Sequence, residues 1–286
     1  MTLRYFASFG PAASAALLAS AALGAQTTST QIDSVRHQIS FIAGPFSVPA
    51  MDPEMLREMK EGEMDMSHEG PTTVYRFEWP LDGYAKGFHV EVRDANGKLL
   101  PRTLLHHVVG VNLDRRQFIY PIVERIFALG KETDAVSLPG NLAVPIDRGT
   151  RLGYYIAWHN DTGKDFKGLS VRVILDWVPA AATRDLIAVL PMWIDVNNTV
   201  GGDNTFDVVP GKSTRAFDFV APVDGRILGI GGHLHDHGVA VRLDDPETNK
   251  TMVRLTVMTD ADGHLKNVAR KFYAFNAPRL KRGHHY

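Results

Sequence analysis

The sequence predicts an all-β protein made of two consecutive antiparallel β-sandwich domains, jelly-roll-like, with the second one incomplete. Three observations carry this expectation. Apolar and polar residues alternate along several runs, which is the period of a half-buried strand. Turn-forming groups recur between those runs, at Asp94 to Gly97, Asn160 to Gly163, Val209 to Gly211, Pro222 to Gly225 and Asp260 to Gly263, as expected where many short strands follow one another. Helical spacing is confined to one stretch near the N terminus. With 286 residues and 44% hydrophobic content, the chain has room for one large core or two ordinary ones.

The elements follow in chain order. Residues 1–25 read as a secretory signal peptide, with Arg4 near the start, a small-residue apolar run from Ala12 to Leu23, and Gly24 and Ala25 before Gln26. That run is too short to span a bilayer, and no later window approaches the roughly 18 apolar residues a span requires. The protein is therefore expected to be exported, periplasmic or secreted, with no membrane span. The absence of cysteine excludes disulfides, thiolate zinc sites and a cysteine nucleophile, so a tightly held metal must rest on His, Asp, Glu or Met. A formal charge of −1, and no basic stretch denser than Arg279 to Arg282, remove the usual footprint of nucleic-acid binding.

Residues 26–72 form an N-terminal segment with an acidic, methionine-rich helix expected over Met51 to Gly62. Five of the nine methionines fall at Met51, Met55, Met59, Met64 and Met66, with His68 close behind. A spacing of four aligns the first three thioethers on one helical face. Two readings stay open: packing of that face against the sandwich, or capture of Cu(I) by soft ligands.

The first sandwich is expected over 73–182. Phe88, Val90 and Val92 alternate with His89, Glu91 and Arg93, and Leu169, Val171, Val173 and Leu175 alternate with Ser170, Arg172 and Asp176. A joint falls between Pro179 and Pro191. The second sandwich occupies 183–286, where Phe217 and Phe219 flank Asp218 and strands are expected over Arg226 to Ile230 and Val253 to Met258.

Chemistry is carried by some of the twelve histidines. His233 and His235 flank Leu234 at the end of an expected strand, where a period of two points both imidazoles the same way and pre-organises a pair of metal ligands. His106 and His107 lie in an otherwise apolar strand. Adjacent residues of a regular strand face opposite sides, so shared ligation would need a twist or bulge. His159 ends the strand Leu152 to Trp158. His89 reads as a solvent-facing residue, while His37, His68 and His264 have no evident companion.

The order of these five histidines, His106, His107, His159, His233 and His235, resembles the copper type II, ascorbate-dependent monooxygenases. The resemblance runs from about Arg76 to the C terminus. It implies two coppers: one on His106, His107 and His159 that relays an electron, and one on His233 and His235 plus a methionine that activates dioxygen. The chain departs from the family in lacking cysteine and in having Gly231 where peptide-amidating members place an arginine. No methionine stands at the family's distance beyond His235, as expected of a C-terminally truncated member. Met258, His237 and the pair His284 and His285 are the alternatives for the missing ligand.

The expected function is copper-dependent hydroxylation of a C–H bond in a small substrate, using dioxygen and a reductant such as ascorbate. The alternative is an exported copper-binding protein without turnover. A zinc hydrolase shares the HxH pattern but offers only Asp236 as a nearby general base.

Overall fold

The computed structural model describes residues 27–286 apart from 55, 58–72, 131–132, 134, 183–184, 197–205 and 207. The expected signal peptide and most of the methionine-rich stretch, including Met55, Met59, Met64, Met66 and His68, lie outside the described residues. Among the described residues no helix is long and apolar enough to cross a membrane.

The chain is all-β. Its first half contains β1 (Thr27–Asp33), β2 (Gln38–Val48), β3 (Tyr75–Glu78), β4 (Gly83–Arg93), β5 (Leu99–Leu100) and β6 (Leu105–Arg116). These are followed by β7 (Val123–Gly130), β8 (Ala135–Ser137), β9 (Leu142–Ile146), β10 (Arg151–Trp158), β11 (Phe166–Pro179) and β12 (Ile187–Ala188). One sheet runs β1-β2-β11-β4-β9-β12, with β5 and β8 also paired to β4, and a second runs β3-β10-β6-β7. All these pairings are antiparallel except β9 with β12.

The alternation read in the sequence accounts for the central strands. Leu169, Val171, Val173 and Leu175 are at most 2% exposed and point one way from β11, each contributing about 1.5–3 kcal/mol through burial. Val90 and Val92 do the same from β4. Aromatic contacts then join the two sheets: Phe41 of β2 lies 4.9 Å from Phe77 of β3, and Phe88 of β4 lies 4.8 Å from Phe127 of β7. The buried Tyr154 hydroxyl of β10 donates to the Val171 carbonyl of β11 at 3.1 Å, and burial pushes its ionisation well above the ordinary tyrosine range.

The large sheet extends beyond 73–182 in both directions, and the core toward the N terminus. β1 and β2 lie in the large sheet, with Ile39, Phe41 and Ala43 at most 2% exposed, because alternation along β2 supplies the apolar face that β11 needs on its far side. At the other end β12 returns to the same sheet, and the Val189 amide donates to the Ala143 carbonyl at 2.9 Å.

The second half is built of smaller sheets. β13 (Gly225–Arg226) pairs with β19 (Arg279–Leu280), and β14 (Gly229–Ile230) pairs with β18 (Lys271–Phe272). β15 (Ala240–Asp245), β16 (Lys250–Thr259) and β17 (Leu265–Val268) form a three-stranded sheet. Phe219, Ala221, Leu243, Val253, Leu255, Val268, Leu280 and Tyr286 share its core. The strand expected around Phe217 and Phe219 is replaced by an isolated bridge from Val220 to His285. Phe219 and Tyr286 exchange both backbone hydrogen bonds at 2.9 Å.

Side chains of the first half meet the second along a seam. The Arg125 guanidinium sits 4.7 Å from the Trp193 ring centre, a cation–π contact. The Tyr120 hydroxyl accepts from the Asp195 amide at 2.8 Å, and Arg270 Nη1 donates to the Ala135 carbonyl at 2.6 Å.

Candidate metal centre

His106 and His107 sit near the start of β6. The β6–β10 register pairs His107 with Ala157 and then Leu105 with Trp158, so His106 is the extra residue of a β-bulge. A bulge bends the strand and breaks its strict two-sided alternation. The consequence is that the two adjacent imidazoles lie 4.8 Å apart, centre to centre, instead of projecting from opposite faces. Ligation by neighbouring histidines requires this irregularity, and it is present at the residue that needs it.

His159 follows β10 and is fixed from both sides. Its own amide donates to the Leu104 carbonyl at 2.8 Å, which ties it to the chain just ahead of β6. The next residue, Asn160, is 2% exposed. Its amide group donates to the carbonyls of Lys164 (2.8 Å), Pro49 (3.0 Å) and Val48 (3.2 Å), and its side-chain oxygen accepts from the Thr162 hydroxyl at 2.7 Å. The Asn160 carbonyl in turn accepts from the Met51 amide at 2.9 Å. The turn that carries His159 is thereby anchored to the end of β2.

His233 and His235 lie just after β14 in irregular chain rather than in the expected continuous strand, since Arg226 to Ile230 is divided between β13 and β14. Their rings are nevertheless 5.1 Å apart. Gly232 closes against Val241 and Leu255, where a Cβ would stand 3.1 and 3.5 Å from their side chains. A larger residue would push this segment off the second core.

The histidines from the two halves converge. His106 lies 5.4 Å from His235 and 6.4 Å from His159, so it adjoins members of both expected sites. Its ionisation is pushed down to about 3, first by burial and then by the neighbouring charges that His107, His235, His233 and His159 would carry if protonated. The ring consequently stays neutral and keeps a lone pair at ordinary pH.

These distances can be judged against metal geometry. An imidazole centre lies about 3.2 Å from an ion bound to its nitrogen at 2.0–2.1 Å, so two rings on one ion stand about 4.5–5.2 Å apart at 90–109° and about 6.4 Å apart at the linear limit. The pairs His106–His107 and His233–His235 fall within the angular range, His106–His235 lies just beyond it, and His106–His159 sits at the limit. The fit is pairwise. Among the described residues no three His, Cys, Asp or Glu side chains are drawn together tightly enough to hold an ion jointly. The donors are all imidazoles, which suit copper as well as zinc.

One residue near the cluster had no signal in the sequence. Asp161 places a carboxylate oxygen 3.5 Å from His159 Nε2, yet Asn160 to Gly163 reads only as a turn. The alternatives for a further ligand separate: Met258 is 65% exposed on β16, His284 contacts Asp245 at 3.0 Å and Glu247 at 3.2 Å, and His285 contacts Asp218 at 3.0 Å. His237 packs 6.4 Å from His264. His37 packs edge-on against Trp177 at 5.1 Å. Searches for a matching protein-family model, a similar curated protein or a similar solved structure found none.

Proposed function

We propose that the chain is an exported copper-binding protein in which His106, His107, His159, His233 and His235 make one centre across the seam, instead of two separate sites. The observation that carries this reading is the position of His106, with His107 on one side at 4.8 Å and His235 on the other at 5.4 Å. His107 and His159 would hold the copper from the first half, and His233 and His235 from the second. His106, half-buried and neutral, would serve both. The bulge and the Asn160 anchor hold their imidazoles in place before the ion arrives, which lowers the ordering cost of binding.

A second reading adds turnover. Bound copper would supply one-electron chemistry toward dioxygen, and the exposed residues His233 and His235 leave that side open to dioxygen, a reductant such as ascorbate and a small C–H substrate. The proposed activity is then monooxygenation.

Copper titration with electron paramagnetic resonance tests the first reading. Copper is expected to bind, with His106→Ala costing more affinity than His233→Ala because His106 touches both groups. Equal binding by wild type and His106→Ala would refute the shared centre. Oxygen consumption with ascorbate by the copper-loaded protein, lost in His233→Ala, would support turnover, and no consumption at full loading would leave copper binding alone as the function.

A further inference from the structure

His264 reads in the sequence as a lone histidine, but the fold gives it two partners. Its Nδ1 lies 2.9 Å from Asp236 Oδ2. A carboxylate oxygen only accepts, so in the neutral ring Nδ1 carries the hydrogen and donates it, leaving the lone pair on Nε2. Asp236 is itself held, since its other oxygen accepts from the Leu265 amide at 2.7 Å. A carboxylate that fixes the tautomer and orientation of an imidazole is the usual support behind a metal-ligating histidine.

The second partner is His237. It occupies the left-handed region with φ of 64°, uncommon for a residue other than glycine. Its amide donates to the Gly263 carbonyl at 3.0 Å, which joins the 236–238 turn to the 260–264 turn and sets the His237 and His264 rings 6.4 Å apart. That separation is the linear limit for two imidazoles on one ion, about 6.4 Å. Both residues are exposed, so a change of χ1 can draw the ring centres closer, while χ2, with its broad torsional well, turns each ring to aim its nitrogens.

We infer that His237 and His264, the latter oriented by Asp236, form a second, outer binding site for a first-row transition-metal ion, copper or zinc. This site uses none of the five histidines of the seam, and its existence does not depend on them. Its His237 stands two residues after His235, so the chain links the outer site directly to the inner cluster.

The test uses the full chain with Zn2+ as a diamagnetic probe, read on the imidazole nitrogens by 15N-edited NMR and on stoichiometry by calorimetry. Nε2 of both His237 and His264 is expected to shift on zinc binding, and His264→Gln, which can still hydrogen-bond Asp236, is expected to lose one bound zinc. Asp236→Asn should keep the site and weaken it by about 10–100-fold, as removal of a supporting carboxylate does elsewhere. In His106→Ala the His237 and His264 shifts should persist, so failure of the seam cluster and failure of the outer site read out separately. Unmoved Nε2 signals at saturating zinc, or an unchanged stoichiometry in His264→Gln, would overturn the inference.

Discussion

Asn160→Ala removes the side chain that anchors the turn bearing His159. In the native protein the two amide hydrogens are shared among three carbonyls, those of Val48, Pro49 and Lys164, and the side-chain oxygen accepts from the Thr162 hydroxyl and, at 3.3 Å, from the Thr162 amide. The residue is 2% exposed, so water replaces these partners poorly. Leaving one or two such groups unsatisfied costs about 1–3 kcal/mol each, which gives an expected loss of about 2–4 kcal/mol. With a urea slope of about 2–3 kcal/mol/M the unfolding midpoint falls by about 1 M. Tryptophan fluorescence on metal-free protein reads this directly. Thr162→Val, which loses the hydroxyl alone, is expected to cost about 1 kcal/mol. Copper affinity should drop in Asn160→Ala by about tenfold or more, in line with loss of a support behind a ligand. A stability within about 0.5 kcal/mol of wild type together with unchanged copper affinity would refute the idea that Asn160 holds His159 in position.

Gly110 of β6 lies under the Phe127 ring, which an added Cβ would overlap. Gly110→Ala is expected to destabilise by about 1–3 kcal/mol through overpacking, and chemical denaturation of Gly110→Ala with Phe127→Leu should show most of that loss recovered. Glu124 is 4% exposed, and burial raises its ionisation above the ordinary glutamate value despite its hydrogen bond from Asn112 at 3.2 Å. The native state therefore keeps a proton that the unfolded state has already released, so its contribution is full below the ordinary glutamate value and lost as pH rises through the raised one. Glu124→Gln should accordingly be more stable than wild type at neutral pH, with the advantage gone at acid pH; urea curves at the two pH values check this. Gly232→Val should weaken copper binding in the titration assay, because a branched side chain meets Val241 and Leu255 and displaces His233 and His235.

The sequence by itself determined the fold class and the central strands. Period-two burial follows from the pleat of a strand, so Val90 and Val92 or Leu169 to Leu175 can be assigned to a core face without knowing their partners. It also singled out His106 with His107 and His233 with His235, since paired imidazoles leave a local mark, whereas the lone His159 entered only through the family resemblance. Only the tertiary structure decided which of these meet. Placing β1 and β2 in the first core depends on which strand lies beside β11, a contact between residues more than a hundred positions apart. The bulge at His106 is a mismatch in length between β6 and β10, invisible in either strand alone, and it turns an adjacency that would divide two rings across a sheet into a 4.8 Å pair. Packing across the seam then set His106 against His235, and the meeting of two turns gave His264 its companions Asp236 and His237. Local alternation is written in single segments, whereas convergence of side chains is a property of how the segments pack.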